Sequence, residues 1–164
     1  MVRAFFFSLM CFFLLIFYQL SSAETFQRAI GTDSTEQIYS IVKTNDGGFV
    51  ACGSTRSNLG AGGEDVYVIK FTAMGSIQWT KIIGGDSTEI GYSIIQTIDG
   101  GYAITGTTNS PPSNDNDILF IKLTQNGDVL LKVSYDMESS NFGYSIIQTI
   151  DSGFAIVGNM WPRT

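Results

Sequence analysis

The sequence predicts an all-β protein built from antiparallel, four-stranded repeats of about 52 residues. Two observations predict this fold class. The stretch from Gly91 to Gly106, GYSIIQTIDGGYAITG, occurs in looser form upstream from Gln37 and again downstream from Gly143. Short runs rich in β-branched and aromatic residues alternate with turns of Gly, Asn, Asp, Ser and Pro, and only the N-terminal segment departs from this pattern.

The N-terminal segment has the three-part pattern of a secretory signal peptide. Arg3 precedes an apolar run from Ala4 to Tyr18, and small residues ending at Ala23 stand where a signal peptidase reads. The sequence therefore predicts a signal peptide at 1–23 and a secreted, extracellular domain at 24–164, which is free of the membrane after cleavage. An uncleaved segment that anchors the chain in the membrane is the alternative, because the apolar run is long for a signal peptide.

Each period contains four strand-like runs. In the second copy they are 91–97, 102–108, 117–124 and 129–135, each bounded by turn residues. A run at 26–31 matches Trp79 to Gly84 and adds a further predicted strand, for eleven in all. Four short strands in about fifty residues are typical of one propeller blade.

Matched residues fix the period. The serines at 40, 93 and 145 and the aspartates at 46, 99 and 151 recur at offsets of 53 and 52. The repeats are assigned to 26–78, 79–130 and a truncated 131–164. This number of repeats predicts an open, partial propeller of about 2.5 blades, and an assembly of several chains, another chain that supplies blades, or a fragment of a larger propeller would each explain it.

Two kinds of connection alternate along the repeat. Tight glycine turns, such as Asp99-Gly100-Gly101, join the first strand to the second and the third to the fourth. Longer loops, for example at 56–64 and 84–90, join the others. Strands that run up and down place the tight turns at one end and the long loops at the other, so we expect binding residues on the long loops.

The motif D-x-x-x-x-K-[FL]-T-x-x-G-x-[IV]-x-W, from Asp65 to Trp79, continues into K-x-x-G-G and then S-I-x-Q-T-x-D-G-G-[FY], from Ser93 to Tyr102. With G-x-T at Gly106, it resembles the secreted seven-bladed β-propeller repeats of exported bacterial and archaeal proteins. The resemblance implies a propeller of six to eight blades and little about function, because such repeats occur in proteins of many roles. Leu131 departs from the motif, since it stands where the first copy has Trp79.

Composition excludes several functions. The chain has no histidine, which removes Ser-His-Asp and Cys-His catalysis and His-based metal sites. A net charge of −6 disfavours nucleic acid as a partner. Cys52 is the one cysteine outside the signal peptide, and it stands where the other copies have Thr105 and Val157, which indicates ordinary packing.

Carboxylates gather in and beside the long loops, and they are the candidate binding residues. They are Asp33, Glu36, Asp86, Glu89, Asp115 and Asp117. Acidic oxygens on loops can hold Ca²⁺, but Asp, Ser and Thr also cap turns through backbone hydrogen bonds, and no complete calcium-loop spacing is present. We therefore assign no metal site, no cofactor and no catalytic residue.

The sequence predicts a non-catalytic, secreted repeat protein with a binding or structural role. A carbohydrate-active or calcium-dependent surface-binding module is the alternative. Other propeller chains, or extracellular protein or glycan, are the partners that this interpretation allows.

Overall fold

The structure is a computed structural model that describes residues 29–31, 34–56, 62–111, 115–137 and 139–161. The predicted signal peptide and Asp33 lie outside the described residues. Within the described part of the chain, no helix has the length and apolar character needed to cross a membrane.

Ten β-strands form within these residues, in three antiparallel sheets. The strands are β1 (Glu36–Lys43), β2 (Phe49–Thr55), β3 (Asp65–Phe71), β4 (Ile77–Ile83), β5 (Glu89–Gln96), β6 (Tyr102–Thr108), β7 (Asp117–Leu123), β8 (Val129–Tyr135), β9 (Ser140–Gln148) and β10 (Phe154–Trp161). The first sheet has the order β1-β2-β3-β4, the second β5-β6-β7-β8, and the third pairs β9 with β10. The prediction of an all-β fold with antiparallel four-stranded sheets is confirmed.

The second sheet follows the predicted strands closely. Strands β6 and β8 have the predicted bounds, and β7 ends one residue earlier than predicted. Strand β5 begins before the predicted Gly91, because Glu89 pairs with Thr108 and Ile90 pairs with Thr107. Local alternation of residue types is therefore enough to locate these strands.

The predicted strand at 26–31 is wrong where it can be compared, because the described residues 29–31 belong to no strand. A strand requires a partner, and no described strand pairs with this segment. Ile30 instead packs on one face of the first sheet, against the cluster that contains Tyr67 and Ile69.

A tyrosine sits at a β-bulge in each first hairpin. The register of the strands shifts around Tyr39, Tyr92 and Tyr144, so each tyrosine is the extra residue of its strand. The ring centroids of Tyr39 and Tyr92 are 5.2 Å apart, and those of Tyr92 and Tyr144 are 5.5 Å apart. The three bulges thus form a ladder of aromatic contacts that crosses all three sheets.

Apolar side chains fill the space between the sheets. Val50, Cys52, Val66 and Val68 of the first sheet belong to one buried cluster with Ile94, Ile104, Leu119 and Ile121 of the second. A second cluster joins Ala103 and Phe120 to Ile146 of the third sheet. Each fully buried aliphatic side chain contributes roughly 1.5–3 kcal/mol, so these interfaces hold the sheets against one another.

The tight turns share one hydrogen-bond pattern. In the β5–β6 turn, the N–H of Thr97 donates to the carbonyl of Gly101 at 2.9 Å, and the N–H of Gly100 donates to the carbonyl of Thr97 at 2.9 Å. The same two bonds close the turns that begin at Thr44, Thr72, Thr124 and Thr149. Because neighbouring strands are antiparallel, all of these turns lie at one end of the sheets, and the long loops lie at the other.

The described sheets do not close into a barrel or a ring. Each of the two later sheets packs its first strand against the sheet before it, with β5 on β2 and β9 on β6. A propeller arrangement is compatible with this packing and is a proposal.

Candidate functional site

The predicted acidic residues do not meet in one place. Glu36 and Glu89 begin the first strands of their sheets, Asp117 begins β7, and Asp115 precedes it. Asp86 is exposed in the loop after β4. Among the residues that the structure describes, no three His, Cys, Asp or Glu side chains are grouped closely enough to hold a metal ion.

Glu89 serves the fold, since its side chain is fully buried. One carboxylate oxygen accepts hydrogen bonds from the hydroxyls of Thr108, at 2.9 Å, and Ser110, and it lies 3.6 Å from the Lys132 ammonium. Thr55 donates to Glu36 in the same way at 3.2 Å. The strand register places Asn141 at this position of the third copy.

A polar cleft lies at the opposite end, between the tight turns of the first and second sheets. Its volume is about 320 Å³. The residues that line this inter-sheet cleft are Asn45, Asp46, Lys70, Gln78, Trp79, Gln96, Gly100, Tyr102, Gln125 and Asn126. The structure therefore has a concave polar surface at the tight-turn end, and the expectation of a long-loop site did not anticipate it.

An ion pair forms one side of the cleft. The Lys70 ammonium, whose side chain is only 4% exposed, donates to Asp46 at 2.8 Å. It also donates to the carbonyl of Phe71 at 3.0 Å and to the side-chain oxygen of Gln78 at 2.9 Å. The hydrogen bond from Lys70, helped by bonds from Thr44 and Gly48, lowers the pKa of Asp46 from 3.8 to about 2. Asp46 is therefore ionised across the physiological pH range.

Gln96 links the first and second sheets beside their tight turns. The side-chain oxygen of Gln96 accepts the backbone N–H of Asn45 at 2.8 Å, and its amide nitrogen donates to the carbonyl of Gly100 at 3.3 Å. Gln148 accepts the N–H of Ile98 at 2.8 Å in the same way. These glutamines hold a neighbouring turn, so their first role is structural.

Two aromatic residues form another part of the lining. The rings of Trp79 and Tyr102 meet edge to face, with centroids 5.8 Å apart and planes at 61°. Gly127, at a φ of 81°, lies directly beneath the indole, since a Cβ on this residue would stand 2.9 Å from Trp79. Lys81, bound to Asp128 at 2.8 Å, ties β4 to the same turn. The indole is therefore held in place by the second sheet.

The hydroxyl of Tyr102 has no hydrogen-bond partner among the described residues, although the side chain is fully buried. A buried polar group without a partner costs about 1–3 kcal/mol. Burial, with a smaller contribution from the negative charge of Asp46, raises the pKa of Tyr102 to about 12. The group is thus a neutral hydrogen-bond donor beside the cleft at physiological pH.

Cys52 gives no sign of reactivity. It is fully buried between the first and second sheets, and its thiol lies 3.5 Å from the carbonyl of Gly91. Burial raises the pKa of the thiol well above its ordinary value, which suppresses the nucleophilic thiolate. The sequence interpretation of ordinary packing agrees with this environment.

Several cleft residues share a sequence signal of their own. Each carries a polar atom where the matching position of another copy has a purely apolar side chain. Asn45 corresponds to Ile98, Gln78 to Leu130, Trp79 to Leu131 and Tyr102 to Phe154. A search for polar departures from the repeat, rather than for residues common to every copy, would have found the cleft.

Comparisons with family models and with curated proteins find no match for this chain. The function therefore has to be argued from the geometry of the cleft.

Proposed function

We propose that this chain is a non-catalytic, exported binding protein with a propeller-like repeat architecture, and that its ligand binds in the inter-sheet cleft. The observation that carries the proposal is the Tyr102 hydroxyl, a buried donor without a described partner in the lining of a polar cleft. A ligand that accepts a hydrogen bond from this hydroxyl removes the cost of leaving it unpaired. Export is supported by the signal-like segment at 1–23.

A binding role suits the cleft better than catalysis. Its one carboxylate, Asp46, is ion-paired with Lys70, and the lowered pKa of Asp46 keeps this carboxylate ionised. General acid–base catalysis needs a group whose pKa lies near the working pH, and neither Asp46, with a pKa of about 2, nor Tyr102, at about 12, has one. The cleft therefore supplies hydrogen bonds and aromatic surface.

Of the carbohydrate-active and calcium-dependent alternatives, the inter-sheet cleft supports only a role that involves carbohydrate. The calcium-dependent one would require several acidic oxygens around one point, and the described residues bring no such group together. Asp86, the most exposed of the described candidates, is the one acidic residue between β4 and β5.

Intrinsic fluorescence tests the proposal. The chain has two tryptophans, so Trp161→Phe leaves Trp79 of the cleft as the single reporter. This variant is titrated with four classes of small polar compound: neutral sugars, amino acids, carboxylates and nucleotides. We expect at least one class to shift the Trp79 emission saturably, and the shift to weaken when Tyr102→Phe is added.

The matched control is Phe154→Tyr, which introduces a hydroxyl at the corresponding position of the third sheet. We expect it to leave the titration unchanged. A panel in which no class shifts the emission, or a shift that is indifferent to Tyr102→Phe, would overturn the cleft as the binding site.

A further inference from the structure

The chemistry of the cleft lining narrows the class of ligand. Five of its residues carry carboxamides: Asn45, Gln78, Gln96, Gln125 and Asn126. A carboxamide has two N–H donors and an oxygen acceptor. A hydroxyl group both donates and accepts, so it can pair with either end of a carboxamide. The lining therefore favours a ligand with several hydroxyls over one with a single strong polar group.

The charges of the lining argue against a charged ligand. Lys70 has three N–H groups, and Asp46, the Phe71 carbonyl and Gln78 accept hydrogen bonds from its ammonium. An anionic ligand would have to displace one of these and would meet the Asp46 carboxylate. A cationic ligand would have to compete with the buried Lys70 for that carboxylate. Because a charge is costly to desolvate without a counter-charge, a neutral ligand fits this cleft best.

The size and the aromatic surface of the cleft also favour a small ligand with several hydroxyls. A cleft of about 320 Å³ is at the lower end of the range for small-molecule sites, which is about 300–1,000 Å³. Such a volume holds one or two six-membered rings. The half-buried Trp79 offers apolar ring surface on which the C–H groups of a sugar ring can pack, while the sugar's hydroxyls reach the amides.

Resting on the proposed function, we infer that the inter-sheet cleft binds a neutral saccharide, one or two sugar units in length. The Tyr102 hydroxyl donates to a ring or hydroxyl oxygen of the sugar. The carboxamides of Gln78 and Asn126 bind its outer hydroxyls, and the paired Asp46 and Lys70 exclude charged sugars.

Calorimetric titration of the full chain tests this inference. The panel contains neutral mono- and disaccharides of glucose, galactose, mannose and N-acetylglucosamine. Charged counterparts, namely glucuronic acid, sialyllactose and glucosamine, and free amino acids are titrated in parallel. We expect a neutral sugar to bind, and Tyr102→Phe to raise its dissociation constant about five- to tenfold. Phe154→Tyr is expected to leave the constant unchanged.

The outcomes separate the inference from the proposed function. If a charged sugar or an amino acid binds and Tyr102→Phe weakens it, the cleft remains the binding site and the neutral-saccharide inference is overturned. If a neutral sugar binds with the same affinity to Tyr102→Phe and to a Gln78→Leu variant, sugar binding lies elsewhere and both are overturned. If no sugar binds while another class still shifts the Trp79 emission, only the saccharide inference fails.

Discussion

The inter-sheet cleft between the first and second sheets has a counterpart between the second and third, which we call the second junction. The two share a frame of ionic and polar contacts. Lys122 donates to Asp99 at 2.9 Å as Lys70 does to Asp46, and Gln148 accepts a turn N–H as Gln96 does. The residues at four matching positions differ: the second junction has Ile98, Leu130, Leu131 and Phe154 where the cleft has Asn45, Gln78, Trp79 and Tyr102.

Comparing the two junctions separates the residues that maintain the fold from the residues that we assign to ligand binding. The aspartate, lysine and glutamine occur at both junctions, so they belong to the fold. The polar and aromatic residues of the cleft are replaced at the second junction while the sheets still pack, with Phe154 against Phe120 at 5.0 Å. The polarity of the cleft is therefore not required for packing, which is the reason for assigning it to binding.

The largest effect that we expect in stability concerns the two ion pairs. Asp46→Ala strands the ammonium of Lys70, which is 4% exposed, whereas Asp99→Ala strands that of Lys122, which is 14% exposed. We expect the free energy of unfolding to fall by about 2–3 kcal/mol in the first variant and about 1–2 kcal/mol in the second. Chemical denaturation measures both.

Both substitutions also remove the bonds that the aspartate makes within its turn. Asp151→Ala serves as the control, because Asp151 accepts from Thr149 and Gly153 and has no ion pair among the described residues. Its loss should be the smallest of the three. Equal losses in Asp46→Ala and Asp99→Ala would contradict the claim that the cleft buries its lysine more deeply.

Acid should weaken both junctions within one pH window. Hydrogen bonds from Lys70 to Asp46, and from Thr97 and Lys122 to Asp99, lower both pKa values from 3.8 to about 2. A group with a depressed folded pKa stabilises the protein above its unfolded pKa, and this contribution is lost as the pH falls from 3.8 to about 2. We expect the melting temperature to drop across this window, and the drop to shrink in Asp46→Asn/Asp99→Asn. A double variant whose melting temperature falls as steeply as that of the parent would refute it.

The smallest effect concerns a turn at the second junction. Ser152 has a φ of 68°, at the position where the other two copies have Gly47 and Gly100 at 82° and 81°. A left-handed backbone conformation destabilises a non-glycine residue by roughly 1–2 kcal/mol. Glycine removes this strain, but part of the gain is offset because glycine loses more conformational entropy on folding. We expect Ser152→Gly to stabilise the protein by about 0.5–1 kcal/mol, with thermal unfolding as the measurement.

The reciprocal variant, Gly100→Ser, places the same strain beside the cleft. We expect it to destabilise the protein by a similar amount. Opposite signs in the two variants would support the comparison of the turns. A Ser152→Gly variant that unfolds earlier than the parent would show that the serine side chain makes a contribution larger than the strain.

Sequence patterns predicted the strands and tight turns because these depend on neighbouring residues. The bounds of β6, for example, follow from local alternation and from the glycines before it. The cleft could not be predicted in this way, because its contacts join residues far apart in the chain. Gln96 binds a turn 51 residues earlier, and Lys81 pairs with an aspartate 47 residues later.

The acidic candidate residues also show what local sequence could not predict, namely which side chains are buried. Glu89 is next to a long loop in sequence, which suggested a surface role. The register of the hairpin pairs it with Thr108 and buries it completely, and no local pattern distinguishes this glutamate from the exposed Asp86. The burial of a residue depends on the residues that pack around it, and for Glu89 these lie about 20 to 40 positions later in the chain.

The tyrosine ladder makes the middle sheet the one on which both aromatic contacts depend. Tyr92 contacts Tyr39 on one side and Tyr144 on the other. A change at Tyr92 would therefore disturb the packing of two sheet junctions at once, whereas a change at Tyr39 or Tyr144 would disturb one.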